Sequence, residues 1–381
     1  ADHRHPVLYR RVPLHQVRAL TRAGRRLERR LRVLSLRAGV LCAGALGLTA
    51  CAAPGVGPVT ATPGELPRTA QIADVPFVAQ EKYYCGPASL AMTLAWSGPA
   101  VDQETLAGQV YTPGKTGTLR GDMVTGARRQ GRLAVQLSDA DTPAEPALRS
   151  LLGEVAAGHP VIVFQNLGLA AAAQWHFAVV TGYDLAAGEV VLHSGTTADK
   201  RRALDSFART WARGDRWALA VLPPDRLPAT AGRRAVMAAA QGLERAGRNA
   251  AAAEAYAAIL DRWPATYAAR IGRGNALYAL ARYAEAARTL RAAAERRPAA
   301  PEAWNNLAYA EAARGNLTAA LAAAKTAVRR AESAGFDGAA MDRYRDTLRE
   351  IRDKADRQPD RRDAARDRAA PDGGIRTWRS S

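Results

Sequence analysis

Two short stretches of this chain carry residue types that can make and break acyl bonds. The first is Gln80-Glu-Lys-Tyr-Tyr-Cys85-Gly-Pro-Ala-Ser-Leu, and the second is Trp175-His176-Phe-Ala-Val-Val-Thr-Gly-Tyr. A neutral thiol is a poor nucleophile, and a helix N-terminus together with an imidazole favours its thiolate. Gly86–Trp96 is apolar at helical spacing, with Pro87 acceptable in a first turn, so Cys85 is predicted to stand directly before a helix whose free N–H groups point at sulfur. Attack on an amide builds an oxyanion, for which the Cys85 backbone N–H and the Gln80 side chain are the predicted donors. His176 opens a strand-like run and is the predicted base, then acid, for the leaving amine. His159, in Ala-Gly-His-Pro, reads as a turn residue, His193 as structural or accessory, and Asp184 as a solvated turn residue. No HxxxH or CxxC pair is present, so neither a metal nor a cofactor is expected.

Around these residues, the pattern from Gln71 to about Pro224 is mixed α and β. Strands are predicted at Ile72–Ala79, Leu133–Leu137, Val161–Gln165, His176–Tyr183, Val190–His193 and Trp217–Leu222, with a turn at Asp184–Gly188 joining two of them. Helices are predicted after Asp102 as cap, over Leu119–Gln130, and from a Thr142 cap to Ala157, with a Gly- and Pro-containing loop at Tyr111–Gly117.

The set Gln80…Cys85-Gly86-Pro87-Ala88…Met92 with His176-Phe177…Gly182-Tyr183 resembles the bacteriocin-processing, double-glycine cysteine peptidases. The resemblance covers about residues 71–224 and implies a papain-like α+β fold and peptide-bond hydrolysis. Family members place an Asp in the strand after the His, where it orients the imidazole. This chain reads His193-Ser194-Gly195 there, so Ser194 takes the third position by resemblance, and a neutral hydroxyl stabilises imidazolium less than a carboxylate does. Nothing in the chain resembles a transporter or ATPase, so the leader-peptide substrate of that family does not carry over.

Beyond Pro224 the composition turns to Ala-rich helix with a 34-residue period: 233–266, 267–300 and 301–334. Gly247, Ala281 and Gly315 fall at the turns, and Ala252, Ala286 and Ala320 at a close-packing position. The segment Ala303-Trp304-Asn-Asn306-Leu307 onward resembles a tetratricopeptide repeat. The predicted architecture is therefore an α+β papain-like cysteine peptidase domain (71–224) followed by an all-α tetratricopeptide-repeat solenoid (225–357). Residues 338–357 form its capping helix, and Asn275, Tyr278 and Asn306 line its groove. An Arg/Asp/Pro tail, 358–381, is expected to be disordered.

Ahead of these domains, residues 1–50 carry +9 of the net charge of +18. The apolar run Ala38–Ala50 is too short to span a bilayer and suits an export signal. It ends Leu48-Thr49-Ala50-Cys51, which resembles the bacterial lipobox. That resemblance implies lipidation of Cys51, a flexible tether over 51–70 and residence in the cell envelope. With Ala52 following, it implies the outer membrane facing the periplasm. Cys42 would leave with the signal, and Cys85 would remain as a lone thiol in a disulfide-permissive compartment. The remaining Arg residues are dispersed among Ala and Asp with no nucleic-acid motif, so the expected partners are a peptide or protein substrate, a protein in the repeat groove and the membrane, and no nucleic acid. A lipid-anchored peptide-binding scaffold whose peptidase domain is impaired is the alternative; an acyl-transferring enzyme is a third.

Overall fold

The computed structural model describes residues 66–168 and 172–357. The basic leader and signal (1–50), Cys51, most of the tether and the tail (358–381) lie outside the described residues. No helix among the described residues is long and apolar enough to cross a membrane.

The first half of the described chain is built on one antiparallel sheet. In chain order its strands are β1 (Thr69–Gln71), β4 (Leu133–Ser138), β5 (Val161–Asn166), β6 (Trp175–Asp184), β7 (Glu189–Ser194), β8 (Thr197–Ala203) and β9 (Ala218–Leu222). Their spatial order is β4-β9-β5-β6-β7-β8, with β1 also pairing β6. The central strands read Val-Ile-Val, Phe-Ala-Val-Val and Ala-Leu-Ala-Val-Leu and are buried almost throughout, as β-branched and apolar runs covered on both faces must be. A small hairpin, β2 (Tyr111–Thr112) and β3 (Gly117–Thr118), stands apart.

Helices cover the sheet: α1 (Cys85–Ser97), α2 (Gln103–Val110), α3 (Arg120–Arg129), α4 (Ala144–Ala156) and α5 (Leu204–Ala212). Asp102 caps α2 as expected, its carboxylate accepting from Thr105 N at 2.7 Å. Two expectations fail. The alternating run Ile72–Ala79 is not a strand: only Thr69–Gln71 pairs with β6, and the chain then turns at Ala73–Asp74 and runs extended through Pro76, which has no N–H to give a ladder. Thr142 does not cap α4, because its hydroxyl is engaged with Asp139 in the preceding turn. The strand β8 and helix α5 were not foreseen, and the Tyr111–Gly117 loop contains the β2–β3 hairpin.

The second half is all helix: α6 (Arg233–Arg245), α7 (Asn249–Arg262), α8 (Tyr267–Ala279), α9 (Tyr283–Arg296), α10 (Pro301–Ala313), α11 (Leu317–Ser333) and α12 (Gly338–Asp356). Each predicted repeat is one helical pair. Ala252, Ala286 and Ala320 are fully buried, as the close approach of paired helices requires. Gly247, Ala281 and Gly315 all adopt positive φ at the inter-helix turns (71°, 58° and 85°).

The two halves share packing. Leu133 and Val135 of β4 are buried in one cluster with Val236, Ala240 and Leu243 of α6. The connecting segment is tied down by the fully buried Glu154 of α4, which accepts from Ala229 N at 3.0 Å, from Thr230 N at 2.6 Å and from the Thr230 hydroxyl at 2.5 Å. His159 Nδ1 lies 2.8 Å from the same carboxylate, which fixes the turn into β5 and gives His159 the structural place expected for it.

Candidate active site

Cys85 is the first residue of α1, and no side chain caps that helix. The N–H groups of its first turn are thus left for a ligand of the site. The preceding residues bring it there through a tight turn in which Tyr84 N donates to Glu81 O at 3.0 Å and Tyr83 adopts φ 69°. A bulky side chain in that left-handed region stores strain of about 1 kcal/mol or more. Immediately after it, Gly86 is pressed on β3: an added Cβ would stand 2.6 Å from Thr118 Cβ. The pocket of the thiol therefore depends on a glycine that α1 would otherwise not favour.

The 79–81 segment is clamped from both sides by a residue that the sequence did not single out. Gln103 of α2 donates to Ala79 O at 3.0 Å, and its Oε1 accepts from Glu81 N at 3.3 Å. Gln80 N donates to Gly195 O at 3.1 Å, which ties the Gln80 backbone to the end of β7. The Gln80 Oε1 is buried with no hydrogen-bond partner among the described residues. The backbone is thus held in place, while the side-chain carbonyl, an acceptor, is left without a donor.

His176 lies in β6 directly opposite Gln165 of β5. Its Nε2 is 2.9 Å from Ser194 Oγ at the end of β7. The structure therefore brings Ser194, and not His193, to the imidazole. Val179 pairs with His193 in the β6–β7 ladder, and His193 is buried elsewhere: Nε2 sits 3.1 Å from Val75 O, Nδ1 accepts from Asp199 N at 3.2 Å, and the ring packs edge-on to Phe77. Asp184 accepts from Ala186 N and Ala187 N and shapes the β6–β7 turn.

Both candidate groups, the Cys85 thiol and the His176 imidazole, are held toward their neutral forms. Burial pushes the Cys85 thiol up from its ordinary value, against hydrogen bonds from the backbone N–H groups of Phe177 and Gly86 that act the other way. Phe177 directly follows His176, so its N–H ties the sulfur to the strand that carries the imidazole. Burial pushes His176 down to about 4, and the positive charge of Lys200 on β8 adds to the effect. Lys200 was not foreseen, because β8 was not. Among the described residues no group of three His, Cys, Asp or Glu side chains stands close enough to hold a metal ion.

On the other face of β6 from His176 an aromatic ledge faces solvent. Trp175 is 54% exposed and stacks on Phe164 with ring centroids 5.1 Å apart. The Arg120 guanidinium lies 5.5 Å from the Phe164 ring and pairs with Asp215 at 2.9 Å. In the repeats, Asn306 Nδ2 donates to Asn275 Oδ1 at 2.9 Å, joining α8 to α10, and Tyr278 is half-buried against Tyr283.

Residues 72–218 match the model of the Peptidase_C39 like family, and residues 237–288 and 271–335 match the tetratricopeptide repeat model. The first half is similar to a putative C39-like peptidase from Bacillus anthracis (20% identity, 41% of this chain and 98% of that one, TM-score 0.36). It is also similar to the peptidase domain of Streptococcus ComA, a bi-functional ABC transporter involved in a quorum sensing pathway (20% identity, 39% of this chain and 98% of that one, TM-score 0.31). The second half is similar to the TPR2B domain of yeast Sti1, solved as a complex with pHsp70 (18% identity, 32% of this chain and 97% of that one, TM-score 0.31). No curated protein matches this chain. The peptidase resemblance read from Gln80, Cys85 and His176, and the repeats read from the 34-residue period, agree with the two family models.

Proposed function

We propose that this C39-like domain with tetratricopeptide repeats is a cysteine peptidase anchored to the bacterial cell envelope by lipidated Cys51. The observation that supports the enzymatic reading is the placing of a thiol and a paired imidazole on neighbouring elements. Cys85 opens an uncapped helix, the backbone N–H groups of Gly86 and Phe177 act to lower its thiol against burial, and the residue before Phe177 is a histidine whose Nε2 lies 2.9 Å from Ser194 Oγ.

In the proposed reaction the Cys85 proton passes to His176 as sulfur attacks the peptide carbonyl. With Nε2–H donating to Ser194 Oγ, Nδ1 is the nitrogen free to take that proton. The oxyanion is received by the Cys85 N–H and the Gln80 side-chain NH2. His176 then protonates the leaving amine, and water hydrolyses the thioester with His176 acting as base.

The repeats are proposed to hold a substrate segment or partner protein along Asn275, Tyr278 and Asn306. The membrane contact is proposed to come from the lipid on Cys51, with the protein at the outer membrane facing the periplasm. A second reading, a peptide-binding scaffold that does not cleave, draws on the neutral Ser194 and on the thiol and imidazole both being held neutral.

A thiol-reactive peptide probe on the full chain tests the choice. Covalent labelling at Cys85 that needs His176, with turnover of a peptide library lost in Cys85→Ala, is expected; labelling without turnover favours the scaffold. For the anchor, metabolic labelling with a clickable palmitate should mark the wild type and leave Cys51→Ser unmarked, and equal label in both refutes it.

A further inference from the structure

The imidazole of His176 is backed by a hydroxyl, and that hydroxyl opens onto a small pocket of unusual lining. Ser194, Gln165, Arg202, Ser206 and Thr210 border it together with Phe207, and its cavity volume is about 20 Å3, space for one water-sized occupant. Not one lining residue is acidic. Thr210 and Gln165 are satisfied by each other: Gln165 Nε2 donates to Thr210 Oγ1 at 2.7 Å, and Thr210 Oγ1 donates to the backbone of its own helix.

Three donors are left over. Ser194 Oγ accepts from His176 Nε2–H in the tautomer that leaves Nδ1 free for the thiol proton, and the Ser194 hydroxyl proton then has no acceptor among the described residues. The Ser206 hydroxyl donates to nothing described, and the Arg202 guanidinium has no ion-pair partner among the described residues. The β7–β8 register pairs Arg202 with Val190 and Lys200 with Leu192, so the two cations stand on one face of β8. The acidic groups nearby are turned elsewhere: Asp199 accepts from Gln71 and lies toward His193, and Glu189 pairs with Arg201.

A pocket with three free donors, one of them the Arg202 cation, with Lys200 on the same face of β8 and no carboxylate in its lining, is matched by an anion. We infer that the pocket behind Ser194 binds a single small inorganic anion of the size of chloride, and that this ion stands in for the carboxylate missing from the third position. The arrangement is a relay of hydrogen bonds: His176 Nε2–H to Ser194 Oγ, and Ser194 O–H to the anion. When His176 accepts the Cys85 proton, the negative charge behind Ser194 stabilises the imidazolium. The anion also offsets Lys200, whose charge opposes that protonation. No bond is made or broken by the ion itself. The inference rests on the peptidase reading for its consequence, but the binding is independent of turnover.

The test has two arms on the full chain. In the first, the rate of Cys85 alkylation by iodoacetamide at pH 7 is followed as chloride replaces gluconate at constant ionic strength, so that general screening of Lys200 and Arg202 is the same throughout. Chloride should speed the reaction about tenfold, the effect of moving the Cys–His equilibrium by one pKa unit. The chloride response should be lost in Arg202→Gln, each variant being read against its own rate in gluconate. In the second arm a bromide-soaked crystal is expected to show an anomalous peak between Ser194, Ser206 and Arg202. An empty pocket in bromide, or a chloride response that survives in Arg202→Gln, overturns the site. A bromide peak without a rate response shows an adventitious ion only and overturns the role assigned to it. Bromide bound and alkylation accelerated in a protein that hydrolyses no peptide leaves the anion site standing and removes the peptidase reading instead.

Discussion

Ser194→Asp is the substitution with the largest expected gain. As the structure stands, His176 sits at about 4 and the thiol above its ordinary value. With the thiol held up and the imidazole held down, the neutral pair outweighs the thiolate–imidazolium pair before their mutual attraction is counted. The reason is geometric as much as chemical: Ser194 Oγ is 2.9 Å from Nε2, close enough to orient the ring but without charge to hold a proton on it. A carboxylate at that place, about 4 Å from the imidazolium charge, is worth about 4 kcal/mol at an effective dielectric of 20. Desolvating the new carboxylate in a half-buried position takes back a large part. A net gain of about one to two pKa units remains, which is about 1.4 to 3 kcal/mol or a tenfold to hundredfold larger ion-pair population.

The assay is the pseudo-first-order rate of Cys85 alkylation by iodoacetamide near pH 7 in low-chloride buffer, with circular dichroism as the check on folding. The rate should rise by that factor in Ser194→Asp, and the rise should vanish when His176→Ala is added, because the carboxylate acts only through the imidazole. A Ser194→Asp protein that folds normally and alkylates no faster, while His193→Ala slows the reaction strongly, would show that the third residue was misassigned despite the geometry.

Three further outcomes follow from contacts elsewhere. Gly86→Ala should destabilise by about 1–3 kcal/mol and slow alkylation, since its Cβ would fall 2.6 Å from Thr118 Cβ, and Thr118→Gly, which removes that carbon, should restore part of both in a denaturant and labelling double-mutant cycle. Ala281→Gly should raise stability by about 1 kcal/mol in urea melts, because Ala281 alone among the three repeat turns bears a Cβ at positive φ. Glu154→Gln should destabilise by about 2–4 kcal/mol by breaking the buried anchor of the inter-domain segment. Burial raises the Glu154 carboxyl, but hydrogen bonds from His159, Thr230 and Ala229 outweigh it and hold the group below the usual carboxylate range. Its contribution is therefore present above that range and is lost as pH falls through the lowered value, so the acid limb of the stability curve should flatten in the variant.

What the sequence made legible follows the strength of local signals. The helix after Cys85, the strand beginning near His176 and the turn at Asp184–Gly188 are written in apolar period and turn chemistry, and so are the repeats, where small residues recur every 34 positions. β8 was invisible because Thr-Ala-Asp-Lys-Arg-Arg-Ala has no apolar face: it is a largely exposed edge strand protected by charge. Missing it meant missing Lys200, and with it part of the reason why His176 is held neutral. The extended path Ile72–Gln80 was misread as a strand because its alternation is real. Ile72 and Val75 are buried, but the segment is fixed by isolated bonds, Ile72 N to Thr181 O, His193 Nε2 to Val75 O and Gln80 N to Gly195 O, in place of a ladder. The Gln103 clamp had no signal, since a lone glutamine on a helix carries no pattern.

The shared core between the halves changes how the repeats must be understood. Removing residues 233–357 is not a clean excision: Leu133 and Val135 of β4 are buried with α6, and β4 is the edge of the sheet whose next strands, β9 and β5, lead to β6 and His176. Deleting α6 would bare apolar side chains on that edge. The exposed sheet edge would also become a template for association. Removal of Asn275 and Asn306 side chains is the perturbation that separates binding from folding, because their mutual hydrogen bond lies far along the repeats from β4. The same continuity joins α6 to the candidate site, since the antiparallel ladder from β4 runs through β9 and β5 to β6, the strand that carries His176.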